Sequence, residues 1–129
     1  FTQFIMQWIA FNWLYSLSGG YSERERIRNF SEYYKEKLSK YHAFDTKAYL
    51  VLSERAISDG RTGSIGKNQT SVFSEMIESK TIAGLMLTMY QIRCNLFHGS
   101  KSLSDERDNA VVCAAAEILD GYLNAFLFE

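Results

Sequence analysis

The stretch Ile82-Ala-Gly-Leu85-Met-Leu-Thr-Met89-Tyr-Gln-Ile92-Arg93-Cys-Asn-Leu96-Phe-His98-Gly99 decides the fold. Ile82, Leu85, Met89, Ile92 and Leu96 recur by threes and fours, which places them on one helical face as a core seam. Met86, Tyr90, Arg93 and Phe97 repeat the same rhythm beside it. Gly99 stands where a helix ends in the left-handed conformation, so the pattern predicts a long helix over about residues 72 to 98.

The same logic carries outward to both ends. Proline is absent from all 129 residues, and nothing marks a sheet. The first helix is predicted over about residues 1 to 17, with Phe1, Phe4, Ile5, Trp8, Ile9, Phe11 and Tyr15 around most of its circumference, as in a central helix. Gly19-Gly20 ends it. Ser22 with Glu25 three residues on forms a capping box, and Ile27, Phe30, Tyr34, Leu38 and Tyr41 continue as one apolar stripe. Asp45 is expected to cap a short third helix through Tyr49, Leu50, Leu52 and Ile57. A fifth runs from about Ser104 to Leu127, and its small Cys113-Ala-Ala-Ala116 segment lets another helix approach closely. The expectation is therefore one all-α domain over residues 1–129, a compact bundle of about five helices.

Composition narrows the function. With 14 basic and 15 acidic residues the formal charge is −1, so no global field draws the chain to nucleic acid or to an anionic membrane. A mild basic bias over residues 24 to 40 reads first as a solvated helix face. Cys94 and Cys113 lack zinc-site spacing and read as free thiols in a reducing compartment, which predicts a cytoplasmic protein and leaves the sequons at Asn29 and Asn68 idle. The first twenty residues carry no charge, yet Gln3, Gln7, Asn12, Ser16 and Ser18 interrupt them, so a buried helix is expected rather than a membrane span. The chain opens on Phe1 rather than methionine, as a domain excised from something longer would.

One loop invites a nucleotide-binding reading. Gly60-Arg-Thr-Gly-Ser-Ile-Gly66-Lys67-Asn68 resembles a phosphate-binding loop in composition, but its first glycine is one residue too far out and Asn68 replaces the magnesium-binding hydroxyl. A lid over a neighbouring site remains open for it.

Chemistry concentrates at Tyr90-Gln-Ile-Arg93-Cys-Asn95-Leu-Phe-His98-Gly-Ser-Lys101. An imidazole in the last turn of a helix lies beside carbonyls that lack partners, which favours its protonated form. Arg93 interrupts a row of large apolar groups, where an unpaired guanidinium is costly to bury. It needs an acceptor: a carboxylate across the turn (Asp105, Glu106 or Asp108), a partner subunit, or a phosphate.

Arg93-Cys-Asn-Leu-Phe-His98 fits the pattern of Arg, four to six residues, then His that marks the HEPN superfamily. Tyr90-Gln-Ile-Arg93, Phe97-His98-Gly99-Ser-Lys101, Asp105-Glu-Arg107-Asp108 and the opening Trp8-Ile-Ala-Phe-Asn12-Trp-Leu-Tyr15 look like its stand-alone bacterial members. The resemblance implies a metal-independent endoribonuclease without cofactors, working as a homodimer on an RNA substrate. It fits a toxin or phage-defence effector, with an antitoxin or regulatory protein as a further partner. A non-catalytic module of the same fold that dimerises and binds a nucleotide or a partner is the alternative. Where relatives usually carry a polar residue after the arginine, this chain has Cys94, with Asn95 one place on.

The resemblance also assigns roles. His98 would take the 2′-hydroxyl proton or protonate the leaving oxygen, and Arg93 would hold the phosphate. Asn95 would orient the imidazole or a phosphate oxygen, Lys101 would add charge at the mouth, and Asn12 would contribute from the first helix. Five residues of ideal helix separate Arg93 and His98 by about 140°. A distorted last turn or a second copy across a two-fold axis would reunite them, and the resemblance implies the second copy. Met86, Tyr90 and Phe97 then serve either that interface or the core.

Overall fold

The computed structural model describes residues 2–97 and 106–128. Among these the chain is all helical, with seven α-helices: α1 (Thr2–Ser16), α2 (Glu23–Tyr33), α3 (Lys35–Leu38), α4 (Lys47–Leu52), α5 (Lys67–Ser74), α6 (Ile82–Phe97) and α7 (Glu106–Leu127). A 3-10 turn (Ala43–Asp45) precedes α4, and a π turn (Glu75–Ser79) follows α5.

The centre of the bundle is α6, where every residue from Ile82 to Met89 is buried. The expected seam of Ile82, Leu85, Met89 and Ile92 is in the core. Met86 is fully buried as well, so of the two roles open to it the core one holds. Burying each such side chain contributes roughly 1.5–3 kcal/mol relative to leaving it in water.

The first helix is not central. α1 buries one stripe, Phe4, Trp8, Phe11 and Tyr15, and leaves Met6, Ile9, Trp13 and Leu17 in solvent. A helix without charges needs only one apolar face to be held, and α7 takes that face. The Ser22–Glu25 capping box forms as read: the Glu25 amide donates to Ser22 Oγ at 3.2 Å and the Ser22 amide to Glu25 Oε1 at 3.1 Å. The stripe beyond it also holds, although the backbone jogs at Tyr34 (φ −102°, ψ 22°) and divides the helix into α2 and α3. The next cap falls one residue later than expected. Thr46, not Asp45, accepts the Tyr49 amide, because Asp45 belongs to the 3-10 turn.

The expected helix over residues 72 to 98 is interrupted. Its first part is α5 and the π turn, which ends at Lys80 in the left-handed region (φ 52°). Thr81 then caps α6, its hydroxyl accepting the Gly84 amide at 3.0 Å and donating to Glu75 Oε2 at 2.5 Å. Arg28 of α2 clamps the same Glu75 with two bonds of 2.9 Å. The Tyr49 hydroxyl donates to the Met76 carbonyl at 2.9 Å, satisfying backbone that the break would leave bare. At Gly84 the turn crosses α6 so closely that a Cβ would lie 3.0 Å from the Met76 amide nitrogen.

α7 closes the bundle against α1 and α4. Ala114, Ala115 and Ala116 are buried, as close approach requires, while Cys113 faces outward. Farther along, Gly121 receives the ring of Tyr41: an added Cβ would sit 2.2 Å from that ring. Residues Arg107–Leu127 of this helix are apolar and long enough to cross a bilayer, but Val111, Val112, Ile118, Leu119 and Tyr122 form core contacts here. Neither cysteine is in a disulfide.

Candidate active site

Arg93 projects from the last turns of α6 beside a group of polar side chains drawn from three helices. Its Nε is buried with no acceptor, its Nη1 approaches Cys94 Sγ at 4.0 Å, and its guanidinium lies 4.4 Å from the centre of the Phe97 ring. Among the described residues no carboxylate pairs with it. A guanidinium carries five donors in a fixed fork; Nε is enclosed, whereas Nη2 makes no hydrogen bond among the described residues and is the donor an incoming anion could use.

Glu23 opens α2 next to this group. The Tyr15 hydroxyl donates to its Oε2 at 2.6 Å, and the Tyr90 hydroxyl to its Oε1 at 3.4 Å. Tyr15 comes from α1 and Tyr90 from α6, so one carboxylate joins three helices. Trp8 supports the arrangement from α1, its ring 6.1 Å from that of Tyr90 and 6.0 Å from that of Tyr15.

The electrostatics follow from these contacts. Burial, then the hydrogen bond and charge of Glu23, hold Tyr15 above the ordinary phenol range, while the Arg93 charge pulls the other way. Tyr90 is pushed up to about 12 by burial first and then by Cys94 and Glu23, against the opposing charge of Arg24. Both phenols are therefore donors at neutral pH and not bases. Arg24, whose guanidinium lies 5.2 Å from the centre of the Tyr90 ring, adds a second cation on the same side.

A polar chain leads away from this group to the loop after α4. Arg24 Nη2 donates to Gln91 Oε1 at 3.4 Å, and Gln91 Nε2 donates to Asn95 Oδ1 at 2.9 Å. Asn95 is buried and grips the loop by its backbone: its Oδ1 accepts the Gly60 amide at 2.7 Å and its Nδ2 donates to the Ser58 carbonyl at 2.8 Å. The structure thus gives Asn95 a loop-fastening role, while His98, which it was expected to orient, lies outside the described residues. Asn12 is exposed on α1, with no side-chain hydrogen bond among the described residues. His98 and Lys101 lie outside the described residues, as does Asp105, one of the acids considered for Arg93.

Sequence reasoning picked out Arg93 and missed Glu23 and Tyr15. The available signal was a tyrosine in the buried stripe of an uncharged helix, since a buried phenol needs an acceptor and none is at hand within α1. Among the described residues no group of three or more His, Cys, Asp or Glu side chains is placed to hold a metal ion. The chain matches no protein-family model, no curated protein and no solved structure.

Proposed function

We propose that the protein is an endoribonuclease of the HEPN type that needs no metal or cofactor, acts as a cytoplasmic homodimer, and serves as a toxin or defence effector. The observation that carries this reading is Arg93: a half-buried guanidinium whose Nη2 makes no hydrogen bond and which has no carboxylate partner among the described residues, with phenols nearby that stay protonated. Such a group receives an anion without first giving up an ion pair.

The chemistry is attack of the ribose 2′-hydroxyl on the adjacent phosphorus. The bond to the 5′-oxygen breaks, leaving a cyclic phosphate and a free 5′-hydroxyl. Arg93 stabilises the charge that builds on the non-bridging oxygens, as preorganised donors do. His98 moves the proton, a contribution of about a hundred- to ten-thousandfold in rate; this role rests on its place in the sequence. Pairing of two chains supplies the second arginine and histidine.

Digestion of RNA in the presence of a chelator, with end-group analysis of the products, tests the proposal. Wild type leaves cyclic phosphate and 5′-hydroxyl ends, and His98→Ala and Arg93→Ala each lose the activity while keeping the helical circular-dichroism spectrum. Activity that chelator abolishes and both variants retain would defeat it.

A second reading has its own observation. Met6, Ile9, Trp13 and Leu17 expose one apolar row along α1, as a non-catalytic partner-binding module would. A folded protein that associates but leaves RNA intact favours this reading.

A further inference from the structure

The loop that failed as a nucleotide-binding motif borders a cleft that the ribonuclease reading does not use. Asp59 and Ser64 pair across the loop, the Asp59 amide donating to the Ser64 carbonyl at 2.8 Å and the Gly63 amide to the Asp59 carbonyl at 2.7 Å. Asn95 fastens its base to α6 through Ser58 and Gly60. The result is a fixed wall standing off the junction of α6 and α7. Between them lies a cleft of about 200 Å³.

Its lining divides cleanly by chemistry. Ile57 and Ile65 come from the loop, Ile92 and Leu96 from α6, and Val112 from α7, so most of the cleft's body is aliphatic, with Ser58 and Asn95, hydrogen-bonded to one another, as polar groups in it. Among the described residues no aromatic ring lines it, which disfavours a stacked base. At the rim stands Arg55, its exposed side chain without a hydrogen-bond or ion-pair partner among the described residues, while its carbonyl accepts from Arg107 Nη2 at 3.3 Å. Arg107 and Asp108 also reach the rim, but Arg107 is spent on the Val51 carbonyl and Glu54 at 2.8 Å each, and Asp108 has a partner as well. Among the described residues the cation left over at the mouth is the side chain of Arg55.

We propose that this cleft binds a small amphipathic carboxylate: an aliphatic body enters between the loop and α6 while the carboxylate meets Arg55. At roughly 30 Å³ for each group about the size of a water molecule, the space takes an aliphatic tail of about six or seven carbons. The walls supply affinity by removing apolar surface from water, and the guanidinium sets polarity and orientation by a charge-assisted contact. Because Asn95 belongs both to this wall and to the polar chain that ends at Arg24 and Tyr90, ligand binding here reaches the neighbourhood of Arg93 through Gln91 as well as through α6 itself. This proposal does not depend on the ribonuclease reading.

The test is a calorimetric and heteronuclear NMR titration of the full chain with octanoate, octanol and octylamine. Octanoate is expected to bind, shifting amides of residues 55–65 and 111–112. Octanol and octylamine are expected to bind about fivefold more weakly, the upper end for an exposed ion pair. Arg55→Ala should weaken octanoate by a similar factor and leave octanol unchanged, since an exposed side chain at the rim carries little of the fold. Val112→Phe, which fills the cleft, should abolish binding of all three; Ile65→Trp, a change at a residue 50% exposed, does the same should Val112→Phe fail to fold. Equal binding of octanoate and octylamine, absence of any binding, or an unchanged affinity in the filled variants overturns the proposal.

Discussion

Arg28 and Arg93 are both partly buried arginines on neighbouring helices, and the bundle treats them in opposite ways. Arg28 is met by Glu75 with two bonds of 2.9 Å, and the pairing raises its own affinity for a proton while holding Glu75 below the usual carboxylate range. Arg93 is met by a thiol and a phenyl ring. The first cation is used up in fixing the break between the π turn and α6. The second keeps donors in hand, and keeping them costs stability that a carboxylate would have returned. Where a fold withholds an available solution from one buried charge and grants it to another, function is the economical explanation for the difference.

The sharpest way to break this contrast is to remove each arginine and assay the same RNA. Arg93→Ala should lower cleavage by roughly a hundred- to a thousandfold, the loss expected for one preorganised donor group, while Arg28→Ala stays within about threefold of wild type. Similar losses in both would erase the distinction.

Next in size is the effect of uncoupling the loop. Asn95→Ala strands the Gly60 amide and the Ser58 carbonyl, and should cost about 2–3 kcal/mol in urea unfolding. Arg93→Ala, which removes no hydrogen bond to another helix among the described residues, should cost less than about 1 kcal/mol. An Asn95 variant as stable as wild type would mean that the loop is not held from α6.

The Glu23 group offers a finer measurement. Tyr15→Phe deletes a 2.6 Å bond to a carboxylate and should cost about 1.5–2 kcal/mol, whereas Tyr90→Phe deletes a 3.4 Å contact and should cost under about 0.5 kcal/mol. Equal costs would assign the carboxylate differently from the observed geometry.

Glu75→Gln should have a smaller effect than Tyr15→Phe. Arg28 is 41% exposed at its side chain, so solvent screening leaves the pair about 1 kcal/mol at neutral pH. Because Glu75 has a lowered native value, its contribution is complete above the ordinary glutamate pKa near about 4.3 and fades as the pH falls through the native one. Urea midpoints of wild type and Glu75→Gln should differ at pH 7 and converge in acid. A gap that widens toward low pH would contradict the assignment.

Much of the fold was legible because it is local. The seam from Ile82 to Ile92 and the Ser22–Glu25 cap depend on residues within two turns of each other, and both stand as read. The break at Lys80 was not legible. No glycine or proline marks it, and what holds it is Arg28, which lies 47 residues before Glu75 in the chain. α1 misled for a related reason: hydrophobicity around a helix says that it can be buried, but only the neighbours decide how much of it is. At the site, Arg93 was conspicuous as a charge in an apolar row, whereas Glu23 was one of several acids opening a charged helix until Tyr15 and Tyr90 converged on it.

The ring of Tyr41 lying in the hollow above Gly121 has an evolutionary corollary. No residue larger than glycine fits at 121 while that ring stays in place, and the hollow would stand empty if the ring alone were trimmed. Descendants of this chain should therefore alter the two positions in concert, a bulkier 121 arriving with a slighter 41, and a library randomised at both should return that inverse relation among its folded members.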